Sequence, residues 1–417
     1  MTVAKGRRGV AMTLAALVGV AAVAFVVHRV LAPAEVETPA SAAYPATATP
    51  TIGVVGRLPA APLIVDGRLR VYAATRQVYA DQPADSRNRV TPYWSYRRWP
   101  AEVSGVVADA TTVVSRWSDG KLVALDARTG RVAWQSDGPE PADGWTARRT
   151  GAGTVWAPPG LFLARAADGR PVLVVAGPER VAGFALADGR RLWSVDVDGG
   201  CRDDVATTSA GQLVAVDRCA APVAVEFRDV ATGTPTVRLT PTGATADLTV
   251  TPVGCVSPRS RCRGLHAEGF ADGAGRGWLV GTADPVTAPG LDAAGTELDG
   301  ERAVGTAGGV VTARSARTGE ELWRRADLGP ARILAVQPGR VHLLTETRDL
   351  VTLDPRTGAQ RSRFRLEVGR DGIGWAAGLA YAGGGYVAVE RLREPVAPDA
   401  DDQRYFLMSE PVLLAAT

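Results

Sequence analysis

The chain has 417 residues, a formal net charge of +3 and only three histidines. Four of its positive charges, Lys5, Arg7, Arg8 and Arg29, lie in the first 29 residues, so residues 30–417 carry one net negative charge. A body without excess positive charge excludes a general electrostatic affinity for nucleic acid. The length suits either two average domains or one large repeat domain.

The N-terminus has the pattern of a membrane anchor. A basic tail, residues 1–8, precedes an uncharged stretch from Gly9 to Val27, which as a helix would be about 28 Å long, close to the hydrocarbon thickness of a bilayer. We predict a single transmembrane helix over residues 9–31, with the basic tail in the cytoplasm and the body outside. No Cys follows the stretch, which argues against a lipoprotein. The alternative is a cleaved signal peptide, because Ala40-Ser41-Ala42 resembles a cleavage site.

Residues 32–56 are rich in Ala, Pro and Thr. This composition is typical of an extended, semi-rigid linker, so we predict a tether that lifts the body away from the membrane. The body itself is predicted to be one all-β domain over residues 57–417.

A short motif returns along this body: a polar turn between two apolar strands, followed by a Trp. In the best copy the side chains of Asp126 and Thr129 can hydrogen-bond to the backbone of the turn. Gly130 can adopt a backbone conformation that is unfavourable for residues with a Cβ. Trp134 is large enough to fill the gap between two sheets. Partial copies contain Gly189 with Trp193, Asp229 with Gly233, Gly319 with Trp323, and Asp354 with Gly358. Such a hairpin cannot bury its own faces and therefore needs neighbours.

The spacing of the motif glycines predicts the number of repeats. The intervals are 59, 44, 86 and 39 residues. A period of about 43 residues, typical of a four-stranded propeller blade, explains them if the first interval carries an insertion and the third hides a degenerate copy near Phe270–Gly273 and Trp278. With one blade before Gly130 and one after Gly358, we predict a single β-propeller of eight four-stranded blades, with seven as the alternative.

The spacing Ala124-x-Asp126-x-x-Thr129-Gly130-x-x-x-Trp134 resembles the tryptophan-docking motif of pyrroloquinoline-quinone-like propeller repeats, within the broader group of WD40-like and YVTN-like repeats. That family contains quinoprotein dehydrogenases and non-catalytic relatives of the BamB outer-membrane assembly lipoprotein. The resemblance covers about residues 57–417. For the dehydrogenases it implies a quinone in the central funnel, a Ca²⁺ held by acidic and amide groups, and a disulfide between adjacent cysteines.

The chain lacks most of these catalytic features. No two cysteines are adjacent. Asn88 is the only asparagine in the sequence, so an asparagine ligand for Ca²⁺ is nearly excluded. The sequence also has no Gly-x-Ser-x-Gly elbow, phosphate-binding loop or His-Glu-x-x-His motif. We therefore predict a protein that is not an enzyme, with no catalytic residue, cofactor or metal. A quinone-dependent dehydrogenase with an atypical site is the alternative.

The four cysteines agree with a body outside the cytoplasm. Cys201 and Cys219 flank a turn and would meet at the open end of a hairpin, whereas Cys255 and Cys262 close a short loop. We predict two local disulfides, because extracytoplasmic chains oxidise their thiols. A metal site is the alternative, with Cys262 and His266 as its closest pair.

Two segments have the composition of a binding surface. The stretch from Tyr93 to Trp99 mixes aromatics with Arg, as interface hot spots do, although its alternation also fits an outer blade strand packed on a neighbour. The insertion from Pro139 to Pro159 carries further Trp and Arg residues on a loop. The interface candidates are Tyr93, Trp94, Tyr96, Arg97, Arg98, Trp99, Trp145, Arg148, Arg149 and Trp156.

Together these observations predict a monomeric, single-pass, membrane-anchored propeller that serves as a non-enzymatic platform for another protein or a cell-envelope component. A binder of small molecules or glycans is a third possibility, and it would need exposed aromatics lining the funnel.

Overall fold

A computed structural model describes residues 19–20, 34–88, 90–142, 150–367, 375–392 and 410–417. The body consists of eight antiparallel sheets, numbered here as blades 1 to 8. First strands of neighbouring blades contact one another around most of the ring and surround a central axis. The fold is therefore an eight-bladed β-propeller, as predicted, and the alternative of seven blades is wrong.

The strands follow one another along the chain. Blade 1 contains β3 (Leu63–Val65), β4 (Leu69–Ala74), β5 (Gln77–Asp81) and β6 (Trp94–Trp99), with β1 (Ala34–Thr38) as a fifth strand. Blades 2 to 4 contain β7 (Val103–Asp109), β8 (Thr112–Trp117), β9 (Lys121–Asp126), β10 (Val132–Asp137), β11 (Leu161–Arg165), β12 (Pro171–Ala176), β13 (Arg180–Ala185), β14 (Arg191–Asp196), β15 (Arg202–Thr207), β16 (Gln212–Asp217), β17 (Ala224–Asp229) and β18 (Pro235–Leu239).

The second half of the ring has the same order. Blades 5 to 7 contain β19 (Ala244–Val253), β20 (Gly264–Phe270), β21 (Arg276–Leu279), β22 (Val286–Thr287), β23 (Glu297–Asp299), β24 (Arg302–Ala307), β25 (Val310–Ser315), β26 (Glu321–Arg325), β27 (Ala331–Gln337), β28 (Arg340–Thr345), β29 (Asp349–Leu353) and β30 (Gln360–Arg365). Blade 8 contains β31 (Ala376–Gly383), β32 (Tyr386–Leu392), β33 (Val412–Ala416) and β2 (Gly53–Leu58).

The ring is closed by the two ends of the body. Strand β2, near the N-terminus, pairs antiparallel with β33 at the C-terminus, with Gly56 opposite Leu414. The outermost strand of blade 8 thus comes from the beginning of the chain. Because every blade then has two neighbours, closure covers the blade faces that an open arc would expose.

The region predicted as a linker differs from the prediction. Residues 34–38 form β1, which pairs along the outer edge of β6, and residues 53–58 form β2. Both ends of the predicted linker, residues 32–56, are therefore built into the propeller rather than forming a free tether, because their backbones pair with strands β6 and β33. Among the described residues no helix is long and apolar enough to cross a membrane. The predicted span, residues 9–31, lies outside the described residues except for Gly19 and Val20.

The core lies between blades. Strands such as β9 and β12 are buried along nearly their whole length, since both of their faces pack against another sheet. Leu122 and Ala124 of blade 2, for example, join one cluster with Leu163, Leu173 and Val175 of blade 3. Full burial of each Leu or Val side chain in this cluster contributes about 1.5–3 kcal/mol to the stability of the ring.

The motif tryptophans connect consecutive blades. The indole of Trp134 packs over Gly189 and donates to the Leu186 carbonyl at 2.9 Å, and Trp193 packs over Gly233 and donates to the Val230 carbonyl at 2.7 Å. Each tryptophan thus docks on the turn of the following blade. Trp323 does the same over Gly358, with its indole 2.9 Å from the Pro355 carbonyl.

The predicted degenerate copy is misplaced. In the regular blades the turn joins the third and fourth strands, but Phe270–Gly273 joins the second and third strands of blade 5 and Trp278 lies on the third. The corresponding turn is residues 280–285. Strand β22 has only two residues, and a 3₁₀ helix, η1 (Pro289–Leu291), follows it. Pro289, rather than a Trp, faces Gly319 of blade 6.

The antiparallel order of the strands gives the ring two distinct faces. Turns between strands one and two, and between strands three and four, lie on one face, which we call the turn face. Turns between strands two and three, and the connections from blade to blade, lie on the opposite face, which we call the crossover face.

Candidate functional site

A segment from the crossover face enters the central axis. After the insertion that begins at Pro139, residues 152–155 form a short helix, α1 (Ala152–Val155), that contacts β4 and β7. The helix is followed by Trp156, whose indole donates to the Pro62 carbonyl at 2.8 Å and stacks on Tyr381 with ring centroids 6.0 Å apart. Both side chains belong to the lining of the axis, so this half of the channel is occupied by the chain itself.

A disulfide-closed loop enters from the turn face. Cys255 and Cys262 are bonded, and the loop between them reaches from blade 5 to the first strands of blades 4 and 3. The Ser260 hydroxyl accepts from the Leu163 amide at 2.9 Å, and the Thr207 amide donates to the Arg259 carbonyl at 3.1 Å. Further contacts involve Cys262 with Thr207 and Arg261 with Asp109 of blade 2.

The space left by these two segments is a cavity of about 720 Å³ on the side of blades 5 to 8. Aromatic, acidic and basic groups alternate around it. Its lining includes Trp156, Ser257, Pro258, Glu297, Asp299, Arg302, Gln337, Arg356 and Tyr381. Because Pro338, Gly339 and Arg356 belong to connections of the turn face, the cavity is associated with that face.

Glu297 is the most perturbed acid of the cavity. Burial raises the pKa of its carboxyl group to about 7, while hydrogen bonds from the Gly254 and Leu298 amides act in the opposite direction. No cation among the described residues offsets the burial. The neighbouring Asp299 accepts from the Gly339 amide at 3.1 Å and so supports a turn. Glu297 can therefore hold or release a proton near neutral pH, or accept a donor from a bound group.

A buried histidine supports the cavity wall from behind. The imidazole of His342 lies between the Gln337 amide, 2.9 Å away, and the Thr352 hydroxyl, 3.1 Å away. Burial and the nearby Arg340 lower the pKa of His342 to about 3. This histidine is therefore neutral at physiological pH and orients Gln337, so it does not act as a proton carrier there.

Most of the side chains of the aromatic strand β6 are buried and stabilise the fold. Trp94, Tyr96 and Arg98 are buried, and the Tyr93 ring is nearly so. Trp94 packs over Gly130 and donates to the Ala127 carbonyl at 2.8 Å, which makes it the docking tryptophan of blade 1.

The interface predicted on this strand is therefore corrected. The Arg98 guanidinium pairs with both Asp119 and Glu35, at 2.9 and 3.0 Å. Tyr93, Trp94, Tyr96 and Arg98 are buried against other parts of the same chain, which leaves little of their surface for another molecule. Only Arg97 and Trp99 remain exposed.

The second predicted interface segment, the insertion from Pro139 to Pro159, is only partly within the described residues. Trp145, Arg148 and Arg149 lie outside the described residues, so their role stays a prediction. Trp156 lies at the cavity rather than on an outer loop surface. The position of Trp156 could not be predicted because it depends on α1 packing into the axis between distant strands.

Both predicted disulfides are present, Cys201 with Cys219 and Cys255 with Cys262. Within the described ranges, no group of three or more His, Cys, Asp or Glu side chains is arranged to hold a metal ion. Glu297, Arg302 and Tyr381 belong to no repeat motif, so the sequence carries no signal that marks them as cavity residues. Glu297 and Tyr381 lie on the first strands of blades 6 and 8, and Arg302 begins the second strand of blade 6, so they meet only because the ring brings these blades to one axis.

Comparison with known proteins agrees with the repeat pattern. The family model described as outer membrane protein assembly factor BamB matches residues 45–233 and 299–406, well over half of the chain. The unmatched interval between them includes the irregular blade 5. No curated protein matches the sequence.

Several solved structures are similar in architecture. BamB from Moraxella catarrhalis is 16% identical, with 91% of this chain and 97% of that chain covered and a TM-score of 0.43. The C-terminal WD40 domain of Sif2 is 12% identical over 88% of this chain and 96% of its own, with a TM-score of 0.48. The computationally designed Ika8 protein is 13% identical over 88% of this chain and 100% of its own, with a TM-score of 0.44.

Proposed function

This chain belongs to the BamB family of repeat propellers, and from that premise we propose that it is a membrane-anchored, non-enzymatic platform that binds another protein outside the cytoplasm. The two disulfides support an oxidising compartment. The uncharged stretch at residues 9–31 supports the anchor.

The observation that carries the proposal is that the chain itself fills part of the axis. In the dehydrogenases that the repeat motif resembles, the central funnel holds the quinone. In this chain, Trp156 and the Cys255–Cys262 loop occupy the axis instead, and the remaining cavity is open to the turn face. A rigid ring with an open, mixed-charge depression suits recognition of a partner's segment.

The partner is expected to contact the turn face around the cavity. A photo-crosslinking amino acid at Arg356, which is exposed at this cavity, tests the surface in membranes that contain the full-length protein. The matched control is the same substitution at Glu179, which is exposed on the crossover face. We expect one discrete adduct at position 356 and none at 179. Equal adducts at both positions, or none at either, contradict this surface.

The enzyme alternative has its own test. Thermal unfolding of the full chain is measured with and without pyrroloquinoline quinone plus Ca²⁺. A ligand at about a hundred times its dissociation constant adds about 2.7 kcal/mol to the folded state, which would move the midpoint visibly. We expect no shift, and a clear shift with dye-linked turnover would contradict the non-enzymatic proposal.

A further inference from the structure

The place where the chain reaches the propeller is fixed by strand β1. Ala34 begins β1 and pairs with Trp99 at the end of β6. Strand β6 runs from the turn face to the crossover face, so Ala34 and Trp99 both lie at the crossover-face corner of blade 1. The chain therefore arrives at one defined corner of the ring.

Little chain separates this corner from the predicted membrane span. The span ends at residue 31, and three peptide units between residues 31 and 34 extend at most about 11 Å. The Cα atoms of residues paired across antiparallel strands lie about 5 Å apart. The polar headgroup layer is itself about 5–8 Å thick. If residues 9–31 span the bilayer, the Trp99 corner is within reach of that layer.

The chemistry of the corner suits this location. Trp99 is 42% exposed, an unusual state for a tryptophan of this chain, and the Arg76 guanidinium lies over its ring at 4.5 Å. Val36, on β1, is 54% exposed. Tryptophan is enriched at membrane–water interfaces because it offers a large apolar ring with a polar N–H.

Two of the three arginines around Trp99 are paired with acids, and the third, the exposed Arg97, lies opposite a strand that carries Glu35 and Glu37. Arg76 pairs with Glu102 at 2.9 Å, and Arg98 pairs with Glu35 and Asp119. Long-range attraction to anionic lipid is therefore not the basis of contact. The corner fits a zwitterionic headgroup layer, with the aromatic ring supplying the affinity.

We propose that the crossover-face corner of blade 1, formed by Trp99, Arg76 and Val36, rests in the lipid headgroup layer. This inference rests on the anchor of the proposed function. It orients the ring: the blade 1 corner of the crossover face lies against the membrane, and the cavity of the turn face opens away from it.

The test uses depth-dependent quenching in the full-length protein. All four native cysteines are in disulfides, so an introduced cysteine is the only free thiol available for a fluorescent label. Arg97→Cys and Val36→Cys, which face each other across β6 and β1, place the label at the corner and keep Trp99 in place. Val286→Cys is the control, because Val286 is a partly exposed apolar residue on the outer strand of blade 5, across the ring. Each labelled protein is reconstituted in phosphatidylcholine vesicles that contain a headgroup-nitroxide lipid.

We expect the labels at positions 97 and 36 to lose more than about half of their fluorescence, since the nitroxide quenches only at close range in the headgroup layer where aromatic belts lie. The label at 286 should lose little, and raising the salt concentration should leave the difference unchanged. Protein that floats with the vesicles but is quenched equally at all three positions overturns this inference alone. Protein that does not float with the vesicles overturns the anchor, and this inference with it.

Discussion

At the scale of single residues, the ring depends on contacts between a tryptophan and a glycine of the next blade. Trp193 lies directly over Gly233, and its indole N–H reaches the backbone of the same turn. The left-handed backbone at Gly233, with φ of 73°, forms the turn, and the missing Cβ leaves room for the indole. One glycine thus meets a backbone requirement and a packing requirement together.

Gly233→Ala is expected to be more destabilising than a glycine substitution that only strains the backbone. A Cβ at Gly233 would lie 2.6 Å from the Trp193 ring, whereas a Cβ at Gly243, with φ of 80°, would have nothing within 4 Å. Positive φ costs alanine about 1–2 kcal/mol at either site, and overpacking adds about 1–3 kcal/mol at Gly233. Urea unfolding of both variants measures the difference, and equal losses would show that docking contributes little.

The raised pKa of Glu297 predicts that the stability of the folded protein depends on pH. Its folded-state pKa of about 7 exceeds the ordinary value of 4.5, so the folded protein binds more protons than the unfolded chain between these values. Stability should therefore fall by about 3 kcal/mol as pH rises from about 4 through the folded-state pKa of about 7, and become level about one unit above it. Glu297→Gln should remove this slope in chemical unfolding, while Glu301→Gln, exposed in the same blade, should keep it. A slope unchanged by Glu297→Gln contradicts the assignment.

At the scale of elements, the Cys255–Cys262 loop of blade 5 contacts blades 2, 3 and 4 at the axis. Its backbone and Ser260 contact β11 and β15, strands that are remote from it in sequence. The disulfide therefore closes the same loop that fills part of the central channel. The Cys201–Cys219 disulfide, by contrast, joins residues next to two paired strands of one blade.

Removing each disulfide should have different local effects. Chain entropy predicts a stability loss of about 2.5 kcal/mol for the shorter loop and about 3 kcal/mol for the longer one. In the Cys255→Ser, Cys262→Ser variant we also expect faster hydrogen exchange at the Leu163 and Thr207 amides, since both donate to the freed loop. The Cys201→Ser, Cys219→Ser variant is the control and should leave these two amides protected. Identical exchange in both variants would mean that the loop holds its position without the disulfide.

At the scale of the whole molecule, stability depends on the pairing of β2 with β33. Strand β33 is fully buried and lies between β2 and β32. It is the only link that joins the two ends of the described body into one sheet. Cooperative unfolding of eight blades as one unit therefore requires this ladder.

Leu414→Pro should open the ring. Leu414 pairs with Gly56 on one side and Ala388 on the other, so proline removes a hydrogen bond from a central strand and clashes there. We expect a loss of about 3 kcal/mol or more and a broader thermal transition. Leu322→Pro is the control, because Leu322 is exposed and lies at the bulge of an outer strand, where proline is tolerated. Equal midpoints for the two variants would contradict the importance of closure.

The sequence by itself determined the repeat, the number of blades and the disulfide pairs, because these follow from local features. The turn chemistry of Asp126 to Gly130 and the position of Trp134 act within about ten residues, so their spacing is visible without a structure. It could not identify Trp94 as a docking residue, because the insertion between Asp81 and Trp94 hides the motif. The composition of residues 32–56 also indicated a tether where β1 and β2 form, because an edge strand can be recognised only when its partner strand is known.

Only the tertiary structure decided what lies at the axis. Trp156, the Cys255–Cys262 loop and Glu297 are far apart along the chain and meet because the ring brings the first strands of its blades together. Closure likewise depends on two segments more than 350 residues apart. Contacts between distant segments depend on how the ring closes, which no local sequence pattern encodes.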